Sequence, residues 1–209
     1  ALHAGDVKSA ACADCHGSHE MAKGIEPDSR AHRQHISGTC GACHDKIAKV
    51  YDQSVHGAAV SQGSVESPVC TDCHGEHAIK KADAPDSPVA PENVSAEVCS
   101  PCHSSVRLAT KYGIRSDRFK TFSDSFHGLA IRGGSVSAAN CASCHGSHEI
   151  LPSTDSLSTI HPTNLAKTCG ECHAGATAAF ATGKVHLEMT EKEEPLLYWI
   201  ATIYTLLIV

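Results

Sequence analysis

Apolar and polar residues along this chain do not alternate with the two-residue period of a β-strand, so no strand is predicted. Prolines and glycines interrupt the apolar stretches, which leaves short helices as the predicted elements. Residues 46–57 and 171–186 have helical composition, and each is predicted to carry a histidine at its far end. The Pro-rich residues 82–92 are predicted to form a linker within a repeat and not a domain boundary.

The longest uncharged stretch is PLLYWIATIYTLLIV at residues 195–209, which follows the acidic run EKEE. Tyr198 and Trp199 stand where an interfacial aromatic belt would lie, so we expect residues 188–209 to be a juxtamembrane segment and the start of a C-terminal transmembrane helix. At about 1.5 Å per residue the stretch spans roughly 22 Å, less than the ~30 Å of a bilayer core. The alternative is a buried apolar helix or a hydrophobic docking tail.

Six copies of Cys-x-x-Cys-His use all twelve cysteines of the chain. Two thiols three positions apart can add to the two vinyl groups of one haem, while the next histidine can bind its iron. A disulfide framework or structural zinc would explain the paired cysteines, but neither explains a histidine directly after every second cysteine. The sequence therefore predicts six covalently attached haem c groups. The predicted attachment cysteines are Cys12, Cys15, Cys40, Cys43, Cys70, Cys73, Cys99, Cys102, Cys141, Cys144, Cys169 and Cys172, and the predicted proximal iron ligands are His16, His44, His74, His103, His145 and His173.

Composition agrees with a polypeptide that wraps cofactors. Six haems in 209 residues leave about 35 residues for each, and chains below roughly 40 residues usually need metals or crosslinks to fold. Aromatic residues make up only 4% of the chain, so the porphyrins are expected to form much of the core. The net charge of −6 makes nucleic acid an unsuitable partner.

The motifs form an internal repeat. Three copies, beginning at Cys12, Cys70 and Cys141, extend to CxxCHGxH, and each is followed 28 or 29 residues later by a plainer copy. Another histidine lies downstream of each plainer copy. The predicted organisation is therefore a hexahaem domain over residues 1–187, built from three two-haem modules at about 1–60, 61–130 and 131–187.

Ten histidines remain to complete six irons. Six of them recur at equivalent places in the repeat and are the predicted distal ligands: His19, His77 and His148 in CHGxH, and His56, His127 and His186 downstream. The alternatives are His3, His32, His35 and His161. Only Met21 and Met189 could give histidine–methionine ligation, so most irons are expected to be bis-histidine and low in potential.

The middle module carries about a dozen extra residues, which include the only local basic cluster. This cluster is either a solvated face that pairs with haem propionates or a docking surface for a partner protein. Its members are Arg107, Lys111, Arg115, Arg118 and Lys120.

The six CxxCH motifs, the CHGSH and CHGEH extensions and the SVHG and SFHG segments resemble the multihaem cytochrome c family of bacterial and archaeal respiration over about 187 residues. The resemblance implies a mostly irregular, haem-cored fold with short α-helices. It also implies a membrane-associated protein that passes electrons between the quinone pool or a respiratory complex and periplasmic or extracellular partners. Quinol-oxidising members carry their membrane helix at the N-terminus, whereas the apolar segment of this chain comes last.

Haem c is attached outside the cytoplasm, so we expect a periplasmic, membrane-anchored electron-transfer subunit and not an enzyme. The rival hypothesis is a multihaem reductase for nitrite, hydroxylamine or a sulfur oxyanion, which would need one open iron. Lys111 and Tyr112 would be its candidate proton donors. A third hypothesis is an interaction module that polymerises into a conducting filament.

Overall fold

The computed structural model describes residues 9–188, 190 and 192–208. These residues form eleven short α-helices with turns between them and no strand. The helices are α1 Cys12–His16, α2 Ile36–Asp52, α3 Val55–Ser61, α4 Cys70–His74, α5 Ser100–His103, α6 Val106–Tyr112, α7 Arg118–Ser123, α8 Phe126–Arg132, α9 Cys141–His145, α10 Leu165–Gly170 and α11 Pro195–Ile208. Two 3₁₀ turns, Arg33–His35 and Phe180–Thr182, and one π-helical turn, Val94–Cys99, complete the elements.

Two parts of the expected fold class are wrong. The described chain is helical, with many short helices, and not mostly irregular. The expected C-terminal transmembrane helix is also wrong, because α11 has only 14 residues, short of the roughly 20 that a membrane span needs. No described helix combines enough length with enough apolar character to cross a membrane.

The first motif of each module begins a helix. Helices α1, α4 and α9 each start at the first cysteine and end at the motif histidine. The residue before the second cysteine reaches back to the backbone N–H that precedes the helix: Asp14 accepts from Ala11 at 2.7 Å, and Asp72 accepts from Val69 at 2.7 Å. This contact satisfies one of the free donors at a helix N-terminus.

The glycine after each of these motifs ends the helix. Gly17, Gly75 and Gly146 have φ near +80° and extended ψ, a conformation that only glycine adopts without strain. The chain therefore turns sharply after the motif histidine. This turn explains why CHG recurs in the first motif of every module.

The second motif of each module comes later in a helical segment. CGACH lies inside α2, which is kinked at His44 with φ −108° and ψ 42°. CSPCH spans the end of the π-helical turn and α5, and CGECH begins in the last turn of α10. The two kinds of motif thus lie in different backbone settings.

A buried serine anchors the turn before each second motif. Ser29, Ser87 and Ser158 are at most 3% exposed. Six residues further on, a side-chain N–H donates to the serine carbonyl: from His35 Nδ1 at 2.9 Å, and from Asn93 and Asn164 at 2.9 Å each. Residues 82–92 belong to this repeated turn.

Two of the predicted helices differ from those observed. The helix that contains residues 46–52 ends at Asp52, and His56 lies in the first turn of α3 instead of at a far helix end. Residues 171–186 hold only the 3₁₀ turn Phe180–Thr182, so His186 lies outside any helix. Glycines at 175 and 183 break the helical composition of this stretch.

The polypeptide alone has a small hydrophobic core. Seven apolar residues of the described chain are buried: Tyr51, Val60, Val69, Ala90, Val94, Ala109 and Phe122. The accessible surface is 14168 Å², whereas a compact monomer of 21.9 kDa exposes about 9,300 Å². The helices therefore form a shell whose inner surfaces need a further apolar filling.

Candidate haem-binding site

Five of the six motif histidines each face a second histidine from elsewhere in the chain. The ring centroids are 6.1 Å apart for His16–His77, 6.0 Å for His74–His148, 6.3 Å for His56–His103, 6.0 Å for His127–His173 and 6.4 Å for His145–His186. No pair joins two motif histidines. Each pair therefore combines one predicted proximal ligand with one predicted distal ligand.

The spacing within these pairs fits an iron atom between the rings. A metal–imidazole bond of about 2 Å on each side, plus roughly 1 Å from each nitrogen to its ring centre, separates the centroids by about 6 Å. A hydrogen bond between two rings would instead need their nitrogens near 2.9 Å. The shared spacing in five separate pairs therefore fits an iron between the two rings of each pair.

The donors present suit haem better than a protein-only metal site. Among the described residues, no group of three or more His, Cys, Asp or Glu side chains could hold a metal ion by itself. None of the twelve cysteines forms a disulfide, so all twelve sulfur atoms are available for haem attachment. Two imidazoles suffice for a haem iron because the porphyrin supplies the other four nitrogens. The cysteine pairs would hold each haem, and the histidine pairs would bind its iron.

The surroundings of the paired histidines favour the neutral, metal-binding form. Burial, together with the neighbouring His103, lowers the pKa of His56 to about 4. Burial also lowers the pKa of His74, His103 and His145. A neutral imidazole keeps a lone pair on one ring nitrogen, which is the form that binds iron.

Four of the five pairs cross from one module to another. His77 and His148, in the CHGxH extensions, each face the first motif of the preceding module, at His16 and His74. The downstream histidines follow the opposite rule, because His56 faces His103 in the next module. His127 likewise faces His173. Each junction between modules is therefore crossed by two histidine pairs.

The SVHG and SFHG segments position two of the downstream histidines. Ser54 caps the N-terminus of α3 by accepting from the Gly57 N–H at 3.1 Å, which places His56 in the first turn. A Cβ on Gly57 would lie 2.2 Å from the Tyr51 carbonyl oxygen. Ser125 and Gly128 repeat both features around His127. The glycine allows the close backbone approach that directs the histidine inward.

His186 is held by other contacts than those that hold His56 and His127. It has no capping serine two residues before it and no glycine after it. Its Nδ1 lies 3.0 Å from Thr121 Oγ1 at α7, which leaves Nε2 as the nitrogen for a metal. It faces His145 of its own module at 6.4 Å. This pair is the exception to the rule that pairs cross between modules.

The predicted distal ligand His19 and the motif histidine His44 do not belong to any of these five pairs. His3 and Met189 lie outside the described residues. Met21 is 67% exposed, and none of its described contacts joins it to a motif histidine.

Two of the alternative histidines serve as turn caps. The Gln34 N–H donates to His32 Nδ1 at 3.4 Å, and the Thr163 N–H donates to His161 Nδ1 at 3.3 Å. A neutral imidazole that accepts at Nδ1 carries its proton on Nε2, so that nitrogen has no lone pair for a metal. His35 donates from Nδ1 to the Ser29 carbonyl, the bond that asparagine makes in the other two modules. His35 keeps its Nε2 lone pair, but its ring packs against His32, with 5.7 Å between the two ring centroids.

Successive motifs lie next to one another. Cys40 and Cys70, the first cysteines of the second and third motifs, lie next to each other. Cys99 and Cys141, of the fourth and fifth motifs, do the same. Helix α1 packs against α2, which brings the first motif beside the second. The attachment sites thus follow one another through the fold in chain order.

Acidic residues neutralise most of the basic cluster. Glu66 accepts from Arg107, from Lys111 at 2.5 Å and from Tyr112 Oη at 2.9 Å, and these hydrogen bonds lower its pKa to about 2. Arg115 pairs with Asp117 and Glu188. Lys120 pairs with Asp124 at 2.8 Å. Lys111 and Tyr112, the candidate proton donors of a reductase, are therefore held by Glu66.

Sequence reasoning did not find the role of Glu66, the Thr121 contact or the crossing of pairs between modules. The spacing of the repeat identified the histidines, but it did not indicate which iron each one faces. The glycines of CHG and of SVHG and SFHG were the available signal, since the first mark sharp backbone turns and the others allow a close backbone approach beside a histidine. Compared with known proteins, the chain matches no protein-family model, no curated protein and no solved structure.

Proposed function

We propose that this protein is a hexahaem c-type cytochrome that relays electrons. Haem supplies reversible one-electron chemistry at its iron. The observation that carries the proposal is the set of five histidine pairs at 6.0 to 6.4 Å, each containing one CxxCH histidine. An iron held between two imidazoles has no position left for a substrate, which favours electron transfer over bond-making.

The order of the sites supports a continuous relay. Contacts between cysteines of neighbouring motifs link the second site to the third and the fourth to the fifth. Partial burial of His74, His103 and His145 lowers their pKa and so favours the neutral imidazole that would bind an iron. The polypeptide's part is to fix the cofactors, exclude water and hold the ring nitrogens in place.

The proposed partners are redox proteins outside the cytoplasm. Covalent haem attachment through CxxCH takes place in that compartment, so a periplasmic or extracellular location is part of the proposal. One partner would be a respiratory complex or the quinone pool, and the other a periplasmic or extracellular donor or acceptor. With a net charge of −6, the protein would suit partners that present cationic patches.

The proposal is tested by reducing the haem-loaded protein and offering it two kinds of oxidant. We expect a small redox protein or an inert one-electron oxidant to reoxidise all six haems rapidly. Nitrite, hydroxylamine and sulfite should leave the reduced spectrum unchanged. Turnover of any of these three compounds would overturn the relay and support a reductase.

A reductase is the second candidate, and one observation favours it. His44 has no partner ring among the five pairs of the described chain, so its iron is the place where an open coordination position would lie. The candidate proton donors Lys111 and Tyr112 contact Glu66 instead. The oxidant test above decides between the two candidates.

A further inference from the structure

The extra residues of the middle module lie directly before α7. In the first module the carbonyl of Tyr51 lies against Gly57, and in the middle module the carbonyl of Phe122 lies against Gly128 with the same spacing along the chain. Helix α7 therefore corresponds to the end of α2. The extra residues are α6 and the turn after it, residues 106–117, which we call the insert.

One end of the insert is anchored to the segment that leads into the third motif. Glu66 forms a salt bridge with Arg107, accepts from Lys111 at 2.5 Å and accepts from Tyr112 Oη at 2.9 Å. All three donors lie on α6. The helix is therefore fixed beside that segment.

The other end of the insert contacts the segment that carries His186. Arg115 donates to both carboxylate oxygens of Asp117, at 3.2 and 3.1 Å, and also forms a salt bridge with Glu188, two residues beyond His186. A guanidinium presents five N–H donors in a fixed fork, so one arginine can join two carboxylates. Arg115 therefore connects the start of α7 to the chain just beyond this histidine.

Thr121 of α7 holds the ring of the same histidine. Its Oγ1 lies 3.0 Å from the Asp117 carbonyl oxygen and 3.0 Å from His186 Nδ1. A hydroxyl has one proton, so a hydroxyl that donates to the carbonyl accepts from Nδ1–H. This tautomer leaves the lone pair on Nε2, the nitrogen that would bind iron. Asp117 thus takes part in both contacts, through its carboxylate and its carbonyl.

Resting on the proposed function, we propose that Arg115 is a positioning residue for His186, the distal ligand of the iron at His145. Through Glu188 it holds the chain beyond the ligand, while Thr121 holds the ring. The extra residues of the middle module therefore secure a ligand of the third module. This role accounts for the only member of the basic cluster that reaches the His186 segment through a described salt bridge.

The insert replaces the device that holds the other two downstream histidines. A capping serine and a closely packed glycine fix His56 and His127. A salt bridge between partly exposed groups is weakened by salt, whereas close backbone packing is not. Salt should therefore loosen His186 and leave His56 and His127 in place.

The test measures the CO pressure at which CO displaces His186 from the reduced iron of the haem-loaded protein. This pressure lies above the one that fills an already open iron. His186→Ala, in which CO meets no competing ligand at this iron, identifies the signal by its spectrum. We expect Arg115→Gln to lower the displacement pressure about threefold, since a salt bridge between partly exposed groups contributes modestly. Arg115→Lys keeps the charge and should restore most of the wild-type value.

Lys120→Gln is the matched control, because it also removes one positive charge, from a described salt bridge with Asp124 in α7. It should leave the displacement pressure unchanged. Glu188→Gln should act like Arg115→Gln, and it tests the contact independently if Arg115→Gln takes up fewer haems. The double variant should show no more than either single effect, because both changes remove one interaction. Higher ionic strength should lower the pressure in the wild type but not in these variants.

Three outcomes would overturn this proposal. A wild-type displacement pressure in both Arg115→Gln and Glu188→Gln would show that their salt bridge does not position His186. An equal decrease in Lys120→Gln would assign the effect to net charge. Additive effects in the double variant would show that the two residues act separately. Each of these outcomes leaves the oxidant test unaffected, whereas a wild-type protein without covalent haem would contradict the proposed function itself.

Discussion

The junctions between modules and the ends of the chain are built from the same residues but differ in how those residues are held. Each junction is crossed by two histidine pairs, and in one pair of each a helix cap and a closely packed glycine hold the ligand, His56 or His127. At the ends, His186 turns back to its own module, and His19 and His44 lie outside the pairs. The comparison shows that the modules repeat in the sequence, whereas most histidine pairs in the structure join one module to the next.

The largest expected effect comes from removing a junction ligand. His56→Ala would leave the iron at His103 with an empty axial position and a cavity beside it. We expect about 3 kcal/mol of lost stability, which lowers Tm by roughly 6–12 °C, and one additional CO-binding haem per chain. Thermal unfolding measures the change in Tm, and CO titration counts the haems that bind CO. His161→Asn, at a turn cap, should bind no more CO than the wild type, and an unchanged CO count in His56→Ala would contradict the assigned pair.

A smaller but still large effect is expected from the glycine beside that ligand. The Cβ of Gly57→Ala would lie 2.2 Å from the Tyr51 carbonyl oxygen, so the backbone must shift. We expect about 2 kcal/mol of destabilisation, measured by thermal unfolding.

Gly38→Ala in α2 is the matched control for this substitution. No other atom lies within 4 Å of its added Cβ, and alanine is the better helix former by about 0.5–1 kcal/mol. The two glycine variants should therefore change Tm in opposite directions. Equal effects would show that the close contact at Gly57 does not position His56.

The angles between the planes of the paired histidine rings predict two spectroscopic classes of haem. The two pairs that contain a CHGxH histidine are nearly parallel, at 7° for His16–His77 and 5° for His74–His148, whereas the other three are tilted by 48° to 57°. Parallel imidazoles split the iron d orbitals strongly, and tilted imidazoles split them less. Low-temperature EPR of the oxidised protein should therefore show two low-spin haems of the more rhombic kind and three of larger anisotropy. A single class would contradict these orientations.

The smallest expected effect concerns the ligand at the C-terminal end. Thr121→Val removes the hydroxyl beside His186 Nδ1 while preserving the shape of the side chain. The loss of one hydrogen bond of about 1 kcal/mol should make displacement of His186 by CO roughly fivefold easier. Thr110→Val, whose hydroxyl bonds only the Val106 carbonyl, is the control. Equal CO binding in both variants would show that Thr121 does not hold His186.

The attachment motifs and the repeat could be predicted from the sequence because their chemistry depends on residue type and fixed spacing. The predicted helix over residues 171–186 was wrong, because the composition of this stretch favours a helix but Gly175 and Gly183 interrupt it. The uncharged run at residues 195–209 did predict the bounds of α11, but the expected transmembrane helix was wrong because the 14 residues of α11 are fewer than the roughly 20 that a membrane span needs. The partners of His77 and His148 depend on contacts between modules, which no local pattern encodes.

The most direct test of the central claim is the number of CO molecules that bind the dithionite-reduced protein for each six haems. Five histidine pairs would close five irons, so the account predicts six covalently bound haems and at most one CO per monomer. Two or more CO molecules in the wild-type protein would contradict the pairing. A protein purified from a haem-attaching host without covalent haem would contradict the cytochrome itself.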